Sequence, residues 1–175
     1  MNNQEQRHTL SALVRNQPGV LAHVAGMFAA RGFNIDSLAV GRTEDANLSR
    51  MSIVVVGDDA TLEQVRKQLL KIVPVVKVYD WTSEDLVQRD LMLIKVAAAP
   101  EKRPEIQALL DMFQAKVVDI GPRFVTVEVT GPETKIEAFI ETARPYGIKD
   151  VVRTGVVALP RQGRATASVE KETTA

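Results

Sequence analysis

Apolar and polar residues alternate over RHTLSALV (7–14), with Leu10, Ala12 and Val14 on one side, and this period of two predicts a strand. NQPG (16–19) follows as turn chemistry. From Val20 to Arg31 the period changes: Leu21, Val24, Ala25 and Phe28 fall at i, i+3, i+4 and i+7, the stripe of an amphipathic helix. Gly32 stands where a helix C-terminal glycine belongs. FNIDSLAVGR (33–42) reads as a second strand, TEDANLS as a polar loop, and MSIVVV (51–56) as a third strand, apolar enough to be central. Asp58 or Asp59 suits the cap of a helix carrying Leu62, Val65, Leu69 and Ile72. VVKVYDW (75–81) supplies a fourth strand and completes the order β-α-β-β-α-β.

The second half repeats that order. LMLIKVAAA (91–99) is a strand, Pro100 and Pro104 bracket a helix start, and Ile106, Leu109, Leu110 and Phe113 restore the helical stripe. KVVDI (116–120), the turn GPR and FVTVEVTG (124–131) read as a strand pair. Pro132 suits the first helical position, Ile136, Phe139, Ile140 and Ala143 give the helical spacing again, and DVVRTGVVAL (150–159) is a last strand. The fold class is therefore α+β: two ferredoxin-like βαββαβ modules, expected over residues 6–82 and 88–160. The acidic stretch TSEDLVQRD (82–90) marks the boundary. Residues 161–175 hold one branched apolar residue, Val169, and read as a disordered tail. Each module presents an antiparallel sheet with both helices on one face, so the other face needs a cover or a partner. Domains this small bury only about 60% of their unfolded surface, which favours a homodimer.

Composition narrows the function. Lys+Arg and Asp+Glu are both 22 of 175 residues, so the net charge is zero and no basic face addresses nucleic acid or an anionic membrane. Cysteine is absent, which removes disulfides, thiolate nucleophiles and cysteine metal sites. MNNQEQRHTL lacks the apolar core of a signal peptide, and no apolar run nears the roughly 20 residues of a membrane span, so a cytoplasmic protein is expected.

Three motifs in the first half carry a resemblance: N-Q-P-G-V-L, R-G-F-N-I-D-S-L and L-S-R-M-S-I, in this order and spacing. They resemble the ACT domain of the acetolactate (acetohydroxyacid) synthase small subunit. R-D-L-M-L-I-K-V and R-T-G-V-V-A-L resemble the C-terminal module of the same family, so the likeness spans residues 8 to 160. The resemblance implies a regulatory subunit with no catalytic site, no metal site and no cofactor of its own. Thiamine diphosphate, magnesium and FAD would reside in the catalytic large subunit, the expected partner. That subunit condenses pyruvate with pyruvate or 2-oxobutanoate on the way to valine, leucine and isoleucine. The small subunit would raise its activity and confer feedback inhibition, typically by valine. ACT domains of this kind pair side by side with the effector between two chains, and the 42–49 loop is the surface expected to face the large subunit. The alternative is an ACT sensor serving a different partner enzyme.

By this resemblance the effector contacts fall on Asn16, Gln17, Gly19, Val20, Leu21, Asn34 and Ile35, and the residue types suit the task. A turn leading into a helix start offers unsatisfied backbone N–H groups to a carboxylate. Gly19 permits close approach and unusual dihedrals. Asn16, and Asn34 from the partner chain, can each meet a carboxylate or an ammonium. Val20, Leu21 and Ile35 suit a small apolar pocket, although from pattern alone all three read as core and N-Q-P-G as a plain strand-to-helix turn. Arg50 reads as an interface residue or as a solvated arginine at a strand start. His8 and His23 read as ordinary surface residues.

Rival functions find little support. No G-x-S-x-G, H-E-x-x-H or P-loop occurs, and Arg15 with Gly19 is only a faint echo of the anion loop in ferredoxin-like acyl phosphatases. RNA-binding modules of this topology stack bases on aromatics of the central strands, and TLSALV and MSIVVV have none. The C-terminal module has A-P-E-K-R-P where the first has its glycine turn, so it is expected to bind no amino acid.

Overall fold

The computed structural model describes residues 6–162 and 168–170. These fall into two compact units, one of residues up to Val87 together with those from Ala158 onward, the other of Gln88–Val157. The first unit contains β1 (Gln6–Arg15), α1 (Val20–Ala30), β2 (Ile35–Arg42), β3 (Leu48–Gly57), α2 (Asp59–Lys71) and β4 (Val75–Asp80). The second is built from β5 (Leu86–Ala97), α3 (Arg103–Phe113), β6 (Lys116–Ile120), β7 (Phe124–Gly131), α4 (Glu133–Ala143) and β8 (Ile148–Arg153), and β9 (Val157–Pro160) begins where the chain returns to the first unit.

In the first sheet the order is β10-β4-β1-β3-β2, where β10 is Ser168–Glu170. Leu10 lies opposite Ile53 and Ala12 opposite Met51 across the β1–β3 ladder, so the alternate residues that the pattern assigned to the core share one face. That face packs on Val24 and Phe28 of α1 and on Leu62, Val65 and Leu69 of α2. The second sheet runs β6-β7-β5-β8, the same order by position within its module, over Ile106, Leu109, Leu110, Ile136 and Phe139.

Local chemistry sets where α1 and α2 begin and end. Asp58 is the cap of α2, its carboxylate accepting from the Thr61 N–H at 2.8 Å. At the other end of α1 the Phe33 N–H donates to Phe28 O and the Gly32 N–H to Ala29 O, with Gly32 at φ 68°. The rings of Phe28 and Phe33 meet edge to face at 6.3 Å. This is a Schellman closure with its apolar clasp, and it fixes the direction in which Asn34 leaves the helix.

Several expectations are corrected. The buried residues of α1 are Val20, Val24, Met27 and Phe28, so Leu21 and Ala25, read as part of the inner stripe, face outward. VLAHVAGMFAA is apolar almost all round, and periodicity then leaves the phase of the helix undetermined. His8 is fully buried, with Nε2 2.9 Å from Gly57 O, because it continues the inward side of Leu10, Ala12 and Val14. The last strand is two, β8 and β9, broken around Gly155 at φ 82°. Half of the boundary stretch 82–90 is already β5. Within the stretch read as a disordered tail, residues 168–170 form β10 and pair with β4 at Lys77–Tyr79; residues 163–167 and 171–175 of it lie outside the described residues.

The two C-terminal motifs meet in the second unit. Asp90, 1% exposed, accepts from Arg153 Nε at 2.7 Å and from the Thr154 hydroxyl at 3.2 Å, joining the start of β5 to the end of β8. Burial depresses the Arg153 pKa, but its hydrogen bonds to Asp90 and Glu137 outweigh that and raise it overall. Arg153→Ala strands the buried Asp90 and is expected to cost about 3 kcal/mol, whereas Asp90→Ala leaves Arg153 its bond to Glu137 and should cost less. The double variant should cost clearly less than their sum. Urea unfolding of the four proteins checks this, and additive losses would mean the pair is not coupled.

Candidate functional site

β1 delivers Asn16 to the surface, and two residues later Pro18 and Gly19 turn the chain into α1. Gly19 has φ 84°, a left-handed conformation that a side chain resists, and a Cβ built there would meet nothing within 4 Å. Gly19 is also the N-cap, and it offers no side-chain acceptor. The N–H groups of Val20, Leu21 and Ala22 therefore have no capping side chain, and no acidic residue lies in the first turn. The other three α-helices among the described residues each carry one there: Asp59, Glu105 or Glu133. A helix start left without its own negative charge is open to an anion from outside.

Around this turn the expected contacts separate by exposure. Asn16 and Gln17 are exposed, Leu21 is 46% exposed, and Val20 is buried in the core. Asn34 and Ile35 stand at the opposite end of α1: Asn34 is exposed and Ile35 packs partly against the core. Asn34 borders a cavity of about 560 Å³ with Arg31, Phe33, Val55, Gly57 and Thr61. An 11-residue helix is roughly 16 Å long. Within one chain, the two groups of residues are thus too far apart to grip one amino acid.

The sequence did not single out the residues that hold Asn16. Its N–H donates to Asn47 O at 2.7 Å and its amide Nδ2 to Ala46 O at 3.0 Å, so the turn before α1 is tied to the β2–β3 loop. Asp45 and Asn47 in TEDANLS, both formers of local side-chain turns, were the available signal. Arg50 is not solvated: it is half-buried, donates to the Ser11 hydroxyl at 2.9 Å, and lies over Tyr79 and Trp81 at 5.4 and 5.8 Å. His23 is exposed.

The second unit builds its first helix differently. A short 3-10 turn, Pro100–Lys102, leads into α3, and the Arg103 guanidinium folds back onto Gly121 O at 2.9 Å and Pro122 O at 3.3 Å. The open glycine start of α1 has no counterpart there.

Two family models match the chain: the AHAS small subunit-like ACT domain over residues 10–77, and the small subunit of acetolactate synthase over residues 89–162. A probable acetolactate synthase small subunit from Archaeoglobus fulgidus is 54% identical over 155 residues, covering 89% of this chain and 97% of that one. The chain belongs to the family of acetolactate synthase small, regulatory subunits. The acetolactate synthase small subunit of Mycolicibacterium smegmatis is 46% identical over 164 residues, 94% of this chain and 96% of its own. The crystal structure of the small subunit from Thermotoga maritima superposes with a TM-score of 0.84 at 42% identity, over 91% of this chain and 99% of that one. The α+β fold of two ferredoxin-like modules is thus shared with a solved small subunit. No helix among the described residues is long and apolar enough to cross a membrane.

The dihedral of Gly19 gives a stability test of the turn. Gly19→Ala meets no neighbour, so its cost is conformational alone, about 1–2 kcal/mol, while Gly19→Asn should lose less because Asn tolerates the left-handed region. Thermal unfolding would read the order glycine, asparagine, alanine; equal melting temperatures would contradict the dihedral.

Proposed function

We propose that this small subunit binds the catalytic large subunit of acetolactate synthase, raises its activity, and lowers it again on binding valine or a related branched-chain amino acid. The thiamine diphosphate, magnesium and FAD would belong to the catalytic partner. The reading is supported by where the residues expected to touch the effector lie: in two clusters at opposite ends of α1, which a second copy would bring together. β2 is an edge strand. Antiparallel pairing of β2 with its own copy sets the Asn34 end of one chain beside the Arg42 end of the other. Arg42 leads directly into the loop that holds Asn16, since the Thr43 N–H donates to Leu48 O and Asn16 reaches Ala46. Asn34 and Ile35 of one copy would then face Asn16 to Leu21 of the other. The ligand's carboxylate would take the uncapped N–H groups at Val20–Ala22, the two asparagines would meet its polar groups, and Leu21 and Ile35 would border a small apolar side chain.

Two further features support this homodimer. β4, at the other end of the sheet, is covered by β10. Alongside β2, the outer face of α1 presents Leu21, Ala22, Ala25, Gly26 and Ala29, all exposed and none charged. Glycine inside a helix costs about 1 kcal/mol relative to alanine. A Cβ at Gly26 would meet nothing within 4 Å in its own chain, so its fold does not require the glycine, whereas close approach of a second helix would. Gly26→Leu should therefore leave the monomer folded, with improved helix propensity, yet weaken the dimer at least tenfold and valine binding with it. Sedimentation at micromolar concentration, paired with calorimetric titration of valine, leucine, isoleucine and an unrelated amino acid, reads both. A wild-type chain that stayed monomeric with valine present would overturn the proposal.

Gly19→Asp separates inhibition from activation. Its carboxylate would sit where the ligand's carboxylate approaches. Two like charges about 4 Å apart at an effective dielectric near 20 repel by roughly 4 kcal/mol. Allosteric couplings are typically about 1–3 kcal/mol, so inhibition should vanish at ordinary valine concentrations. Aspartate tolerates the left-handed region better than most residues and favours a helix start, so the chain should fold, bind the large subunit and activate it. Acetolactate formation by the reconstituted complex, with and without valine, is the assay. A variant as valine-sensitive as wild type would show that the site lies elsewhere.

A further inference from the structure

Asn16 is the only proposed contact whose side-chain amide is held by a second loop, and the way that loop is built has a consequence for affinity. Within the β2–β3 loop the Asp45 carboxylate accepts from both the Asn47 N–H at 2.9 Å and the Asn47 side-chain amide at 3.0 Å through one oxygen, Oδ1. The Thr43 hydroxyl accepts from the Asp45 N–H at 3.2 Å, and the Leu48 N–H donates to Asp45 O at 2.9 Å. Asp45 therefore pins the turn from both its side chain and its backbone. The carbonyls that this turn presents, Ala46 O and Asn47 O, are the two acceptors that hold Asn16.

We propose that Asp45 is a positioning residue for the effector site, acting through Asn16 without touching the ligand. The claim deepens the reading of the Asn16–Leu21 turn as an effector site and rests on it. A side-chain amide carries two N–H bonds, and the loop uses one of them. The second, already aimed by the first, is left for a ligand carboxylate. An amide held in place before the ligand arrives loses no rotamer freedom on binding, whereas a free asparagine on an exposed turn must be immobilised at that moment. The coupling runs both ways: a ligand that engages Asn16 also steadies the 43–48 loop. Asp45 is exposed and contributes nothing to the core, so its replacement leaves the fold intact.

The test is calorimetric titration of the full chain with valine, for wild type, Asp45→Ala and Asp45→Asn, with hydrogen exchange over residues 43–48 measured in the same samples. Asp45→Ala removes both Oδ1 bonds and should weaken valine binding roughly fivefold to tenfold, the scale of one side chain's lost freedom. Exchange at Asn47 and Leu48 should rise, with the dimer mass unchanged and the melting temperature lowered only by the loss of two exposed hydrogen bonds. Asp45→Asn keeps an oxygen in the Oδ1 position and should bind within about twofold of wild type, which a general requirement for charge on this loop would not allow. In wild type, valine should slow exchange across the loop. If wild type binds valine and Asp45→Ala binds it as tightly, the positioning role is wrong while the effector site stands. If wild type gives no heat with any branched-chain amino acid, the effector reading itself fails and this proposal falls with it.

Discussion

A strand at the end of a sheet turns one row of its N–H and C=O groups away from its neighbour, and among the described residues β2 is such a strand of the first unit. Proteins blunt such edges with charge, proline, bulges or a covering segment. β2 has one irregularity near its start, between Ile35 and Ser37, and then runs on as LAVGR with Val40 46% exposed. The opposite end of the same sheet is treated otherwise, since the chain spends its own residues 168–170 on β4. β4 is met by a strand of its own chain, whereas among the described residues none lies beyond β2. Every feature assigned to ligand binding lies at one end or the other of that strand: Asn34 and Ile35 where β2 begins, the Asn16 turn and its supporting loop where β2 ends.

The two ends are held by different physics. At the start of β2 the Schellman closure, with Gly32 in the left-handed region and Phe28 against Phe33, fixes the path of the chain by packing and by backbone hydrogen bonds. At its far end the geometry depends on exposed polar contacts among Thr43, Asp45, Asn47 and Asn16, each worth about 0.5–1.5 kcal/mol net. The first end is rigid because it is part of the core. The second is ordered only as long as a few solvent-facing hydrogen bonds persist, and segments of that kind are the ones that respond to a ligand.

Much of this was legible in the sequence because the relevant signals are local. Period two over 7–14, period 3.6 over 62–72, and Gly32 after an apolar helix each report a backbone preference that the fold keeps. The phase of α1 was not legible, because a helix apolar on both sides carries two stripes and only the sheet beneath selects one. Burial of His8 was missed for a related reason: a polar residue at the start of a strand reads as surface unless the strand's full length inside the sheet is known. The β10 pairing escaped composition altogether, since three residues can add to an edge through their backbones alone. The contacts named at the effector turn came from motif resemblance, and spacing by itself gave only a turn. What no pattern could show was that Asn16 is held by residues 30 positions away.

The two units make the same point from the other direction. They share strand order, helix placement and a core of similar residues, yet they differ where the first strand hands over to the first helix. In the first unit that junction is a left-handed glycine with bare N–H groups behind it. In the second it is a 3-10 turn leading to Arg103, whose cation lies on the Gly121 and Pro122 carbonyls, while Glu105 occupies the first turn of the helix. The glycine leaves a partial positive charge exposed; Glu105 answers that charge from within the chain. A free amino acid brings its carboxylate to a helix start only where the chain has not already supplied one. That asymmetry, and not the shared topology, agrees with the proposal of a ligand in the first module, while Asp90, Arg153 and Thr154 in the second are read as structure.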